Sequence, residues 1–274
     1  MTSKRVALVG MGPSADSYAR QCAAVSDRRN LFDETWTVNG FGSIFQVDRI
    51  FHMDDIRIQK LRADAGNEQI KKLIEWLQKA PAPVYTSRPL PKEPNPRLEE
   101  VEYKLDAVPL DSDEMNRLTR ELAVLKAERS LQEMGGFEGL VEFPLEDVLN
   151  SSGGPLYFNS TPAYAIAFAM HMQVESLACF GMDYAYYHEK YRGERGRACV
   201  EYWLGRAIER GIQVLLPKET WLMDANRMSS QRTYGYDTID IAAKMNNEGK
   251  AEIEFISRWV MPTAAEVEEA YRHE

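Results

Sequence analysis

A short apolar run, Val6-Ala7-Leu8-Val9, stops at Gly10-Met11-Gly12-Pro13-Ser14 and gives way to a helical stretch from about Asp16. The pattern then recurs. Thr35-Trp36-Thr37-Val38 is closed by Asn39-Gly40, and Arg49-Ile50-Phe51-His52-Met53 by Asp54-Asp55. Ile70, Leu73, Ile74 and Leu77 repeat at the period of an amphipathic helix. Pro81-Ala82-Pro83 ends that helix, and Val84-Tyr85-Thr86 resumes an extended path. Runs that are apolar throughout, separated by helices, are the signature of parallel strands buried on both faces. The fold class read from this is α/β: a Rossmann-like, mostly parallel sheet with helices on both faces and a helical insertion.

The middle of the chain breaks the rhythm. Residues 88–110 carry Pro89, Pro91, Pro94, Pro96 and Pro109 and read as an irregular excursion. A charged helix follows over 111–134, with Met115, Leu118, Leu122 and Leu125 in a stripe that needs a partner, in this chain or in a second copy. The sheet pattern returns with Leu156-Tyr157-Phe158 as a strand. Asn159-Ser160-Thr161-Pro162 is a helix start, leading into a helix apolar on all sides. Leu177–Phe180 reads as a buried strand, Val200, Trp203, Leu204, Ala207 and Ile208 as a helix face, and 212–216 as the last strand. Beyond Asn226 the periodicity fades, with a short helix expected from Pro262. This divides the chain into a Rossmann-like domain over 1–226, interrupted by an insertion at 88–138, and an extension at 227–274.

Composition limits the function classes. No apolar run in the 274 residues approaches the about 18–20 needed to span a bilayer, and the first residues lack the architecture of a signal peptide. Cys22, Cys179 and Cys199 are too scattered for a disulfide framework, so a cytoplasmic protein is expected. A net charge of −9 disfavours nucleic-acid binding over the whole surface, while Arg192, Arg195 and Arg197 leave room for a local basic groove.

The chemistry gathers at strand ends. Gly10, Gly12, Pro13 and Ser14 lie between a strand and a helix, where glycine admits close approach of an anion and helix-start amides favour phosphate. A dinucleotide site also needs an acid after the second strand. Asn39 and Gly40 stand there, which points to a different nucleotide. Ser160 and Thr161 form a second polar helix start, and Asp183 ends the strand that follows. Asp54 and Asp55 are either ligands for a divalent cation or helix caps. Tyr184, Tyr186, Tyr187, His188 and Tyr191 cluster after Asp183, where tyrosine can donate to a leaving phosphate and histidine can take an acceptor proton. Cys179 is assigned to packing.

Gly10–Ser14, Val38-Asn39-Gly40, the helix beginning at Ser160-Thr161 and Leu177–Tyr184 stand in one order. That order resembles bacterial lipooligosaccharide sialyltransferases and the related flagellin-modifying and hydroxymethylpterin-diphosphokinase-like proteins. Leu215-Leu216-Pro217 and Leu222–Asn226 extend the likeness to about residue 226. The resemblance implies a nucleotide-sugar donor, usually CMP-linked, gripped by the glycine turn, Asn39, Ser160, Thr161 and Asp183, with Tyr184 and Tyr187 assisting the leaving phosphate. Two departures stand out. The general-base histidine of that group is replaced locally by Arg192, Glu194 and Arg195, leaving His188 or Glu194 as the base. Asp54 and Asp55 also admit Mg²⁺ or Mn²⁺, which a UDP-linked donor would use more than a CMP-linked one. The expectation is a glycosyltransferase acting on a glycan or on a hydroxymethylated base in DNA. The alternatives are an ATP- and Mg²⁺-dependent pyrophosphokinase on a pterin-like alcohol, or a non-catalytic nucleotide-binding protein that assembles through 111–134.

Overall fold

The computed structural model describes residues 4–109, 112–184, 190–227, 239–246, 250–257 and 263–271. A seven-stranded sheet forms its centre, in the order β5-β4-β3-β2-β1-β6-β7, with every pairing parallel. The strands are β1 (Arg5–Val9), β2 (Glu34–Val38), β3 (Arg49–Phe51), β4 (Val84–Thr86), β5 (Leu140–Glu142), β6 (Ser176–Phe180) and β7 (Gln213–Leu215). The α/β class read from the sequence is the class observed. Among the described residues no helix is long and apolar enough to cross a membrane.

Central strands are buried on both faces, which explains their unbroken apolarity. Val6 and Leu8 face one cluster with Trp36, Phe51 and Phe168, while Ala7 and Val9 face another with Tyr18 and Phe180. The helix α7 (Thr161–His171) is apolar all round because it lies on the sheet between α6 (Leu145–Ser152) and α8 (Lys190–Glu209). Its Phe168 meets Trp36 and Phe51 at ring-centroid distances of 5.6 and 5.5 Å. On the opposite face, α3 (Glu68–Leu77) buries Ile74 and Leu77 against Ile50 and Val84. Also on that side, α1 (Ala15–Ala23) buries Tyr18, and α2 (Ile56–Asp64) precedes α3 in the chain.

Several segments differ from the reading by sequence, α2 and α6 among them as helices the periodicity did not mark. The proline-rich excursion contains α4 (Arg97–Leu105), which begins just after Pro96, a position where proline costs a helix nothing. Leu98 and Val101 of α4 cover Leu118 and Leu125 of α5 (Asp113–Met134), so the apolar stripe on α5 has its partner within the chain. Arg57 on α2 and Glu128 on α5 form a buried ion pair that fixes the insertion to the sheet-covering helices. Leu156–Phe158 is not a strand: Phe158 stacks on Trp203 at 4.9 Å, and the Trp203 indole donates to the Tyr157 carbonyl at 2.7 Å. Its apolarity serves helix packing rather than a ladder. β5 escaped detection because it is a three-residue edge strand with an exposed valine, too short for a period. In the extension, β8 (Ile239–Met245) and β9 (Ala251–Ser257) pair antiparallel, followed by α9 (Ala264–Tyr271) where a helix was expected.

Candidate functional site

The sheet order reverses direction between β1 and β6, and loops after these two strands open the crevice where such sheets bind ligands. The turn after β1 and the end of β6 interlock. Gly10 N–H donates to the Phe180 carbonyl and Gly12 N–H to the Gly181 carbonyl, both at 2.7 Å. Ser14 N–H donates to Asp183 Oδ2 at 2.8 Å, and Gly181 N–H donates to Ser14 Oγ at 2.7 Å. Glycine is required at Gly12 because a Cβ there would stand 2.5 Å from Asp183 Oδ2.

This geometry corrects the role expected of the glycine turn. The amides of Gly10, Gly12 and Ser14 are spent on β6, and Pro13 has none to offer. The carboxylate of Asp183 occupies the place at the start of α1 that an anionic ligand would take. The helix start on the other face is different. Ser160, at the N-cap of α7, makes no side-chain cap, and its hydroxyl lies 3.4 Å from the Tyr184 hydroxyl. Ser160 and Tyr184 are therefore brought together, and the start of α7 is left without a side-chain cap.

Tyr184 is held in a left-handed conformation, φ +52, directly after β6. Asn39 after β2 has φ +54, and Met223 and Asp224 after β7 have φ +51. Phe137 before β5 and Gln173 before β6 share the left-handed conformation at the opposite edge, so it is not confined to the rim at the carboxyl ends of the strands. The Tyr184 ring lies against α8 at Gly196, where a Cβ would stand 3.0 Å from the ring. That contact puts Glu194 and Arg195, both exposed on α8, beside the rim. Arg197 is removed from the basic groove: it pairs with Glu201 at 2.8 Å and Asp224 at 2.9 Å. Tyr187 and His188 lie outside the described residues, as does the side chain of Arg192. The loop after β7 closes the crevice, with Thr220 Oγ1 donating to the Met182 carbonyl at 3.0 Å and Trp221 N–H to the Asp183 carbonyl at 3.1 Å.

The cation-binding role considered for Asp54 and Asp55 does not fit this arrangement. Asp55 is the N-cap of α2, accepting the Arg57 amide at 2.9 Å and pairing with the Arg57 guanidinium at 3.2 Å. Among the described residues no group of three or more His, Cys, Asp or Glu is gathered closely enough to hold a metal ion. Gly40 is a packing position, facing Leu73 of α3, whereas Asn39 Oδ1 reaches His52 Nδ1 at 3.2 Å.

His52, Thr86 and Asp183 are each at least nine-tenths buried, and each keeps a polar atom without a partner: Nε2, Oγ1 and Oδ1. All three close a strand at its carboxyl end. Buried polar atoms are nearly always satisfied, and these three lie at or just beyond the carboxyl ends of their strands. Neither Thr86 nor His52 was singled out from the sequence, where both stand only as members of extended runs. The available signal was position: each is the first polar residue after an apolar pair, Ile50-Phe51 or Val84-Tyr85. No protein-family model, curated protein or solved structure matches the chain.

Proposed function

We propose that this chain is a glycosyltransferase that moves a sugar from a CMP- or UDP-linked donor to a hydroxyl acceptor, either a glycan or a hydroxymethylated base in DNA. The observation that carries the reading is the convergence of Ser160, Thr161 and Tyr184 with Asp183 at the strand-order reversal, along an edge lined by unpartnered buried polar atoms. The motif residues that resemble the lipooligosaccharide sialyltransferase group lie on that same edge.

In this reading the acceptor oxygen attacks the anomeric carbon as the bond from that carbon to the phosphate oxygen breaks. The phosphate leaves with the electron pair, and its charge is met by the uncapped start of α7, the Ser160 hydroxyl and the Tyr184 hydroxyl. His188 or Glu194 takes the acceptor proton, and Arg192 and Arg195 on α8 hold an anionic acceptor such as DNA, whose target base would be turned out of its stack. No step needs a metal. The pyrophosphokinase alternative is weakened because Asp55 is committed to capping α2, and the assembly alternative because α4 covers the stripe on α5.

The test is release of nucleotide from CMP-N-acetylneuraminic acid and UDP-glucose in the presence of oligosaccharides or hydroxymethylated DNA. Donor consumption that falls at least tenfold in Tyr184→Phe and Ser160→Ala supports the proposal. Donors left intact with every acceptor, while ATP and a pterin alcohol react, would replace it with the pyrophosphokinase.

A further inference from the structure

Gly196 stands within α8, and a helix interior is where glycine is least favourable after proline. Its backbone has no need of glycine, because it takes ordinary helical angles. The reason lies in what faces it. A Cβ at this position would stand 3.0 Å from Cε1 of the Tyr184 ring and 3.8 Å from Cδ1 and Cζ. Gly205, further along the same helix, has open space where its Cβ would go. Only the first of these two glycines makes room for a side chain.

α8 is not free to back away and widen that room. The face that carries Gly196 continues through Cys199 and Trp203 on the following turns. Asn159 N–H donates to Cys199 Sγ at 3.2 Å, while the Cys199 thiol and the Trp203 indole donate to the Tyr157 carbonyl at 3.3 and 2.7 Å. Cys199, Val200, Trp203 and Leu204 are fully buried in the same core cluster as α7. The helix is thereby tied to the chain directly before Ser160, whose hydroxyl lies 3.4 Å from that of Tyr184. Bulk added at Gly196 must be taken up by the ring.

We propose that Gly196 is a positioning residue: it seats the Tyr184 ring so that the hydroxyl stands beside Ser160 at the start of α7. The assignment rests on the reading above, in which Tyr184 meets the leaving phosphate. Cε1 is bonded to Cζ, the atom that carries the hydroxyl, so pressure on Cε1 displaces that hydroxyl. An alanine would drive the ring from 3.0 Å toward the about 3.5 Å at which carbon atoms rest, a retreat of about 0.5 Å. Reacting groups have to be held to within about 0.5 Å of their productive place. The loss therefore falls on the transition state, where charge reaches the phosphate, rather than on donor binding.

The experiment measures nucleotide release from CMP-N-acetylneuraminic acid and UDP-glucose, with the acceptors named above, together with thermal unfolding. It compares the full chain with Gly196→Ala, Gly205→Ala, Tyr184→Phe and the combination of Gly196→Ala with Tyr184→Phe. On the donor the parent prefers, Gly196→Ala should lower kcat about tenfold and leave KM within about twofold. Gly205→Ala should match the parent in rate and melt level with it or higher. In the Tyr184→Phe background the alanine should cost less than about twofold more, because the hydroxyl it acts through is gone. A parent-like kcat in Gly196→Ala overturns the seat, and so does an equal loss in both backgrounds. Should Gly196→Ala melt well below the parent, Tyr184→Ala must restore its melting temperature by clearing the ring; no restoration overturns the seat without any donor being needed. A parent that leaves both donors intact overturns the donor reading and this assignment with it, whereas a failed comparison in an active parent overturns the assignment alone.

Discussion

Ser14 and Asp183 hold each other across the strand-order reversal: the Ser14 amide donates to the Asp183 carboxylate at 2.8 Å, and both residues are almost wholly buried. The Ser14 hydroxyl completes the lock by accepting the Gly181 amide at 2.7 Å. The turn that a glycine-rich sequence offers to a phosphate has here become a clasp between β1 and β6.

The clasp predicts a stability cost for Ser14→Ala. Removing the hydroxyl leaves the buried Gly181 amide without an acceptor, at about 1–3 kcal/mol. Urea unfolding should show that loss with an unchanged slope. A variant as stable as the parent would mean the amide finds water instead.

Asn39 predicts a contrast between two substitutions. Both Asn39→Gly and Asn39→Ala remove the contact with His52, but only alanine is strained at φ +54. The glycine variant should be the more stable of the two by about 1 kcal/mol in denaturant unfolding.

Much of the fold was legible because central parallel strands write themselves as apolar runs. Val6–Val9 and Leu177–Phe180 could be placed to within a residue, since both faces of each are buried. What escaped depended on tertiary partners. Leu156–Phe158 carries a strand's composition yet packs on Trp203, and Asp55 looks like a ligand yet caps a helix. The convergence of Ser160 with Tyr184 was readable from strand ends. The spending of the Ser14 amide on Asp183, 169 residues away, was not, because no local pattern encodes a long-range hydrogen bond.

Glu34 predicts an acid limb in the stability profile. Burial pushes its carboxyl up, but hydrogen bonds from Arg49, Lys4 and the Trp36 indole outweigh that and hold its pKa at about 2. A depressed carboxyl stabilises the fold fully above its unfolded value of 4.5, and that contribution is lost as pH falls from there toward about 2. Glu34→Gln should cost about 2 kcal/mol at pH 7, with the difference shrinking below pH 4.

The α4–α5 contact predicts that the insertion is stabilised within one chain. Val101 is fully buried against the α5 stripe, so Val101→Ala should destabilise by about 1–3 kcal/mol. The shift in melting temperature should be the same at low and high protein concentration. A concentration-dependent shift would place a second copy on that face.

The central claim, that the carboxyl edge of the sheet grips a sugar through its nucleotide phosphate, is tested most directly by melting the protein with CMP, UDP, their sugar conjugates, ATP with Mg²⁺, NAD and FAD. A ligand that binds only the native state raises the melting temperature. The account predicts stabilisation by a pyrimidine nucleotide or its sugar conjugate, abolished in Tyr184→Phe with Ser160→Ala. Stabilisation by NAD or FAD alone would contradict it.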